Sequence, residues 1–295
     1  MTSPTSTMPV SAVADSGDDL LDALLGGTKW GNAGAGSGVA VGYSFPGATG
    51  AAVWAPAGAY GSPQNETATA SALSPANQAA ARLALQMWAD LANLSFVEIA
   101  ETTADVGDIR LAHTADPAIA PYWGWSLYPN GYWPAGGDIW INSSRAGADW
   151  TVGTNDFSSL LHEIGHSLGL KHPFDDQPVL PPSLDSQQYT LMAYERHPHG
   201  LFRDVVDHGG GSYSWTYFTV TPQTPMLYDI AAIQYLYGAN MTCRAGDDLY
   251  SFNPESPFLM TIWDAGGIDT LSVANFSRAC TLDLRAGHFS RISIE

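Results

Sequence analysis

Three observations predict an α+β fold for this 295-residue chain. A long amphipathic run, "SPANQAAARLALQMWADLANLSF", predicts one long helix. Short segments rich in β-branched and aromatic residues, "VAVGYSF", "SFVEIA", "GDIRLAHT" and "GGDIWIN", predict strands on either side of it. A further helix-forming run, "SSLLHEIGHSLGLKHPF", holds three histidines and a glutamate at fixed offsets, and burying such groups without a partner is costly.

Taken in order, residues 1–17 are rich in Ser, Thr and Pro and lack periodicity, which predicts a mobile tail. A short helix is expected over residues 19–25, stopped by Gly26 and Gly27. "NAGAGSG" reads as a flexible connector, so the folded domain is expected to start near Gly38. In the long helix Ser74 can cap and Pro75 suits the first helical position, with Ala80, Leu83, Ala84, Met87, Trp88 and Leu91 on one face. "YWGWSLYPNGYWPAGG" supports two readings: a loop pinned by buried rings, or an exposed edge strand able to pair with an extended peptide.

Composition narrows the possible partners. Hydrophobic residues make up 45% of the chain, including 10 Trp, enough for a substantial core. The net charge of -18 reflects a scarcity of bases, Lys29 and Lys171 being the only lysines beside nine arginines. Such a surface repels nucleic acid and anionic membranes and favours cations. No apolar run is long enough to span a bilayer; "DDLLDALLGG" carries three aspartates in its first half. The first 28 residues hold no Lys or Arg and no long apolar stretch, which does not support an N-terminal secretory signal. Cys243 and Cys280 are too few for a disulfide framework and too far apart for a metal knuckle; one bridge or two reduced thiols both remain open.

His162 and His166, four residues apart on a helix, project from one face and can grip one ion. Glu163 can reach a water on that ion without binding it. Gly169 ends the helix, the turn returns His172 as a third ligand, and Pro173 prevents the helix from resuming. Three neutral imidazoles leave a coordination position open, the mark of a catalytic zinc site.

This elongated motif, followed by Met192 in "YTLMAYERH", resembles that of the metzincin clan of zinc endopeptidases. Tyr194 two residues on, with "HEIGHSLGLKHP", resembles the serralysin family of secreted bacterial proteases. "LLDALLGGTKWG", "TPMLYDIAAIQYLYGANM" and "WDAGGIDTL" extend the similarity over most of the chain. The resemblance implies a twisted, mostly parallel sheet with long helices, a smaller irregular lower half, and a cleft between them. It divides the chain into an N-terminal tail with a possible propeptide (1–37), a catalytic domain (38–239) and the start of a calcium-binding β-roll (240–295).

It also implies roles. His162, His166 and His172 would bind zinc, with Glu163 as general base. Tyr194 would ligate zinc at rest and donate to the oxyanion during turnover, and Met192 would form the turn beneath the ligands. Trp125, Ser126, Leu127 and Tyr128 would hold the substrate main chain. In "RAGDD" and "DAGGID", Arg244, Gly246, Asp248, Asp264, Gly266 and Asp269 would bind calcium, although Asp248 stands where the family usually has threonine. The expected partners are protein or peptide substrates, with a proteinaceous inhibitor or a separate β-roll chain as further candidates. Tandem calcium repeats and the type I export signal of secreted family members are not present, so truncation is expected. His197, His199 and His208 offer at most an accessory metal site. The competing functions are a selective processing protease for one bacterial surface protein and a non-catalytic, calcium-dependent binding module. Retention of Glu163 argues against the second.

Overall fold

The computed structural model describes residues 8–48, 52–55, 65–103, 105–131 and 134–293. Strands β1 (Val10–Ala12) and β2 (Thr28–Trp30) pair antiparallel around a four-residue helix, α1 (Asp19–Asp22). The main sheet is built from β3 (Val39–Ser44), β4 (Leu94–Glu98), β5 (Ile109–Thr114), β6 (Gly124–Ser126) and β7 (Ile139–Asn142), in the spatial order β4-β3-β5-β7-β6. Four strands are parallel, and β6 runs antiparallel to β7 along one edge, with Trp125 opposite Trp140. Every residue of β5 and β7 is buried, as expected for parallel strands covered on both faces.

Helices α2 (Pro75–Leu91), α3 (Asn155–Ser167) and α4 (Leu227–Tyr237) supply the rest of the core. Ser74 caps α2 by accepting the Asn77 amide, and Pro75 opens the helix as expected. Ala84, Trp88 and Leu91 are buried as the periodicity predicts, but Leu83 is 44% exposed. The buried stripe instead turns through Ala81, Leu85 and Ala89, because α2 packs against both β4 and α3. The indole of Trp88 donates to the Leu161 carbonyl, tying α2 to the middle of α3.

The boundary expected near Gly38 is corrected by the packing of residues 8–30. Leu24, Lys29 and Trp30 have no solvent exposure. Their place is at the C-terminal end of α3, where the last helical carbonyls lack intrahelical donors. The Trp30 indole donates to the Ser167 carbonyl at 2.8 Å, and the Tyr237 hydroxyl donates to the Leu168 carbonyl at 2.8 Å while accepting the Trp30 amide. Gly26 donates to the Gly169 carbonyl, and Lys171 donates its amide to Leu24. The short helix ends at Asp22 rather than reaching 25, because residues 24–26 bond to the turn after α3. Residues 1–7 of the predicted tail lie outside the described residues.

Both lysines are buried and each stitches a turn. Lys29 Nζ donates to the carbonyls of Ala33 and Ser37, and Lys171 Nζ to those of Asp175, Asp176 and Pro178. A long antiparallel hairpin, β8 (Leu201–Asp207) and β9 (Tyr213–Thr219), follows the turn at Met192. Alternation in "YSWTYFTV" beside three glycines is its hairpin signal in the sequence. Toward the C-terminus, β10 (Leu249–Ser251) pairs parallel with β11 (Thr270–Ser272), and β12 (Cys280–Thr281) pairs antiparallel with β13 (Arg291–Ile292). Cys243 and Cys280 are free thiols. No helix among the described residues is long and apolar enough to cross a membrane.

Replacing Trp30 with Phe keeps a buried aromatic ring but removes the indole N–H, leaving the Ser167 carbonyl without this donor in the core. Chemical denaturation should show a loss of about 1–3 kcal/mol. An unchanged midpoint would mean that the end of α3 does not depend on this bond.

Candidate active site

Helix α3 begins at Thr154, whose hydroxyl accepts the Phe157 amide, and buries Phe157, Leu160, Leu161 and Ile164. This apolar face fixes the helix's rotation and sets His162 and His166 one turn apart on another face. Gly169 then turns the chain with φ +106. A Cβ at Gly169 would also overlap the Thr28 carbonyl oxygen, so glycine is required twice over. The turn brings His172 back to the other two rings.

The three Nε2 atoms converge. His172 Nε2 lies 3.1 Å from His166 Nε2 and 3.3 Å from His162 Nε2. The outer nitrogen of each ring faces an oxygen that can only accept: His162 Nδ1 meets the Leu191 carbonyl at 2.8 Å, His166 Nδ1 the Leu170 carbonyl at 2.7 Å, and His172 Nδ1 the Asp175 carboxylate at 2.8 Å. Each Nδ1 therefore carries the proton, and each Nε2 presents a lone pair. No proton is left to join the Nε2 atoms to one another. Burial favours the neutral rings, lowering His162 to about 4 and His166 well below its usual range. Three imidazole lone pairs around one point fit a divalent cation, and zinc suits that donor set.

Glu163 is 6% exposed, and Ser126 of β6 donates to its Oε2 at 2.8 Å. Burial raises its carboxyl to about 7, a rise the Ser126 bond opposes. The Tyr194 hydroxyl lies 3.0 Å from His172 Nε2, and its ring is 63% exposed. Met192 is fully buried against α3; a Cβ on Gly165 would come within 2.9 Å of its sulfur. Helix α4 fixes this turn, since Asp229 accepts from the Thr190 hydroxyl and from the amides of Leu191 and Met226. Three donors oppose the burial that pushes the Asp229 carboxyl up to about 6.

Along the rim, β6 presents Trp125 and Ser126 at the sheet edge, as the edge-strand reading expects. The Trp125 indole donates to Glu66 on a short 3-10 turn at Glu66–Thr69. Leu127 donates its amide to Asp138, and the Tyr128 ring meets His166 edge-on, 5.8 Å between centroids. Tyr132 and Trp133 of the aromatic segment lie outside the described residues. Phe174 stacks on His172 and contacts Tyr194, each at 5.0 Å between centroids. Glu66, Phe174, Asp175 and Asp229 have no signature in the sequence, because single acidic or aromatic residues carry no spacing signal.

The second acidic constellation also assembles. Carboxylate oxygens of Asp248, Asp264 and Asp269 lie within 4.8 Å of one another. A Cβ at Gly267 would overlap the Gly246 carbonyl oxygen, so the two loops approach as closely as glycine allows. Arg244 takes a left-handed φ of 49, and Gly266 donates its amide to Asp264. His197, His199 and His208 do not gather: His197 accepts the His199 amide, and His208 pairs with Ser214 on the hairpin.

The matrixin family model matches residues 64–195, and the model of the serralysin C-terminal region of the same peptidase group matches residues 230–293. The chain is 33% identical to serralysin of Proteus mirabilis, over 72% of this chain and 47% of that protein. It is 31% identical to serralysin B and 34% identical to serralysin G of Dickeya chrysanthemi, over 74% and 72% of this chain and 47% and 46% of those proteins. The chain thus spans about half the length of the curated relatives it matches.

Removing the carboxylate that orients His172 should loosen metal binding. Asp175→Ala is expected to weaken zinc affinity about 10-fold or more, measured by competition with a chromogenic chelator. Equal affinity for both proteins would remove Asp175 from the site.

Proposed function

The chain belongs to the serralysin family of metzincins, and from that premise we propose that it is a zinc-dependent endopeptidase acting on extracellular or cell-surface proteins. The observation that carries the reading is the convergence of three Nε2 lone pairs next to a buried carboxylate. His162, His166 and His172 hold the zinc, which when bound supplies Lewis acidity and brings ionisation of water towards neutral pH.

Glu163 takes the proton given up by the attacking water and passes it to the departing amine. Tyr194, next to His172 and largely exposed, has room to swing away and to donate a hydrogen bond to the substrate oxyanion. Trp125, Ser126, Leu127 and Tyr128 receive the substrate as an antiparallel strand beside β6, whose outer edge has no sheet neighbour among the described residues. Main-chain pairing of this kind gives broad specificity. Asp248, Asp264 and Asp269, with carbonyl oxygens of Arg244, Gly246 and Gly266, form an oxygen-rich calcium site that ties β10 to β11. Secretion fits a protease of this kind.

Casein should be cleaved, and chelation should stop the cleavage until zinc is restored. Glu163→Ala should keep zinc and lose about 10²–10⁴ in turnover. Tyr194→Phe should lower kcat about 10²-fold. Intact casein in the presence of stoichiometric zinc would refute the proposal. Calcium should raise the melting temperature of the parent chain and leave that of Asp269→Ala unmoved; equal shifts would put calcium elsewhere.

A further inference from the structure

Strand β6 touches the general base as well as the path of the substrate. Gly124 and Ser126, two residues apart, share a face of the strand. A Cβ built at Gly124 would overlap the Trp140 carbonyl oxygen of β7 at 2.7 Å and lie in van der Waals contact with Glu163 Cγ at 3.7 Å, so glycine lets β6 pair closely with β7 while its face rests on Glu163. Two residues along, the Ser126 hydroxyl donates to Glu163 Oε2 at 2.8 Å. The other face of the strand is fixed as well, through the Trp125 indole on Glu66 at 3.1 Å. The serine is thus held on a strand anchored from both sides.

We infer that Ser126 is a positioning residue for the general base: its hydroxyl holds Oε2 of Glu163, leaving Oε1 as the oxygen that receives and returns the proton. This deepens the endopeptidase reading and rests on it. The serine keeps its own proton throughout. One water proton moves to Oε1 and from there to the leaving amine as the peptide C–N bond breaks. Without the hydroxyl, a buried carboxylate loses its one side-chain donor among the described residues and can rotate, exchanging the two oxygens and misplacing both. A contact that only gripped substrate would act on binding; this one acts on turnover.

Steady-state kinetics on a quenched fluorescent peptide, using the zinc- and calcium-loaded chain, separates the two. Ser126→Ala should lower kcat roughly tenfold and leave KM within about twofold, with zinc content unchanged. Ser126→Thr retains the hydroxyl and should recover kcat to within about threefold. A parental kcat in Ser126→Ala, a loss confined to KM, or a threonine variant no better than alanine would overturn the inference. Crystals of the metal-free Ser126→Ala chain give a readout independent of turnover: Glu163 should leave its present position or show more than one, and an unmoved Glu163 would overturn the inference even if no peptide is cleaved. Failure of the parent chain to cleave any peptide while Glu163 moves in the variant would instead fault the endopeptidase reading alone.

Discussion

Three lone pairs aimed at one point repel one another, and much of the structure is arranged to hold them there. Each imidazole is locked from behind by an acceptor: two backbone carbonyls and one carboxylate. The locks come from different parts of the chain. Leu191 belongs to the turn held by Asp229 of α4, Leu170 to the glycine turn after α3, and Asp175 to the loop that Lys171 gathers through three carbonyls. The ring orientation that points each Nε2 at the common centre is therefore built into the fold.

The same demand explains why the zinc helix must end inside the protein. A helix that stopped at the surface could leave its last carbonyls to water; this one turns sharply within the core to return His172. Trp30 and Tyr237 supply the missing donors, and the glycine turn fits against Thr28 because it has no side chain. The N-terminal segment is therefore part of the mechanism's foundation, although it lies more than a hundred residues from the histidines in sequence.

The parts of the molecule legible in the sequence are those whose signal is local. The histidine spacing, the capping serine and proline of α2, and the β-branched runs of β3, β5 and β7 each report their own conformation. The N-terminal strands escaped because Ser, Thr and Pro composition resembles a tail, while the bonds that order Trp30 come from residues 167 and 237. Leu83 faces outward against its periodicity, which gives the width of an apolar stripe and not which neighbours will cover it. Asp175 and Asp229 act through single hydrogen bonds that exist only once the fold has formed. Family resemblance filled part of that gap: it marked Met192 and Tyr194, whose bare residue types would have passed as core and surface.

Strand β6 shows how a short element can serve two purposes without compromise. Alternation sends Trp125 toward Glu66 and Ser126 toward Glu163, while the strand's outer backbone edge stays unpaired in the sheet. Backbone hydrogen bonding lies in the plane of the sheet and side chains stand out of it, so a peptide can pair along β6 without displacing either anchor. Rigidity of the rim and access for a substrate are then set by perpendicular sets of atoms. Under the proposed function, that separation lets three residues receive an extended chain while the Ser126 hydroxyl keeps hold of the Glu163 carboxylate.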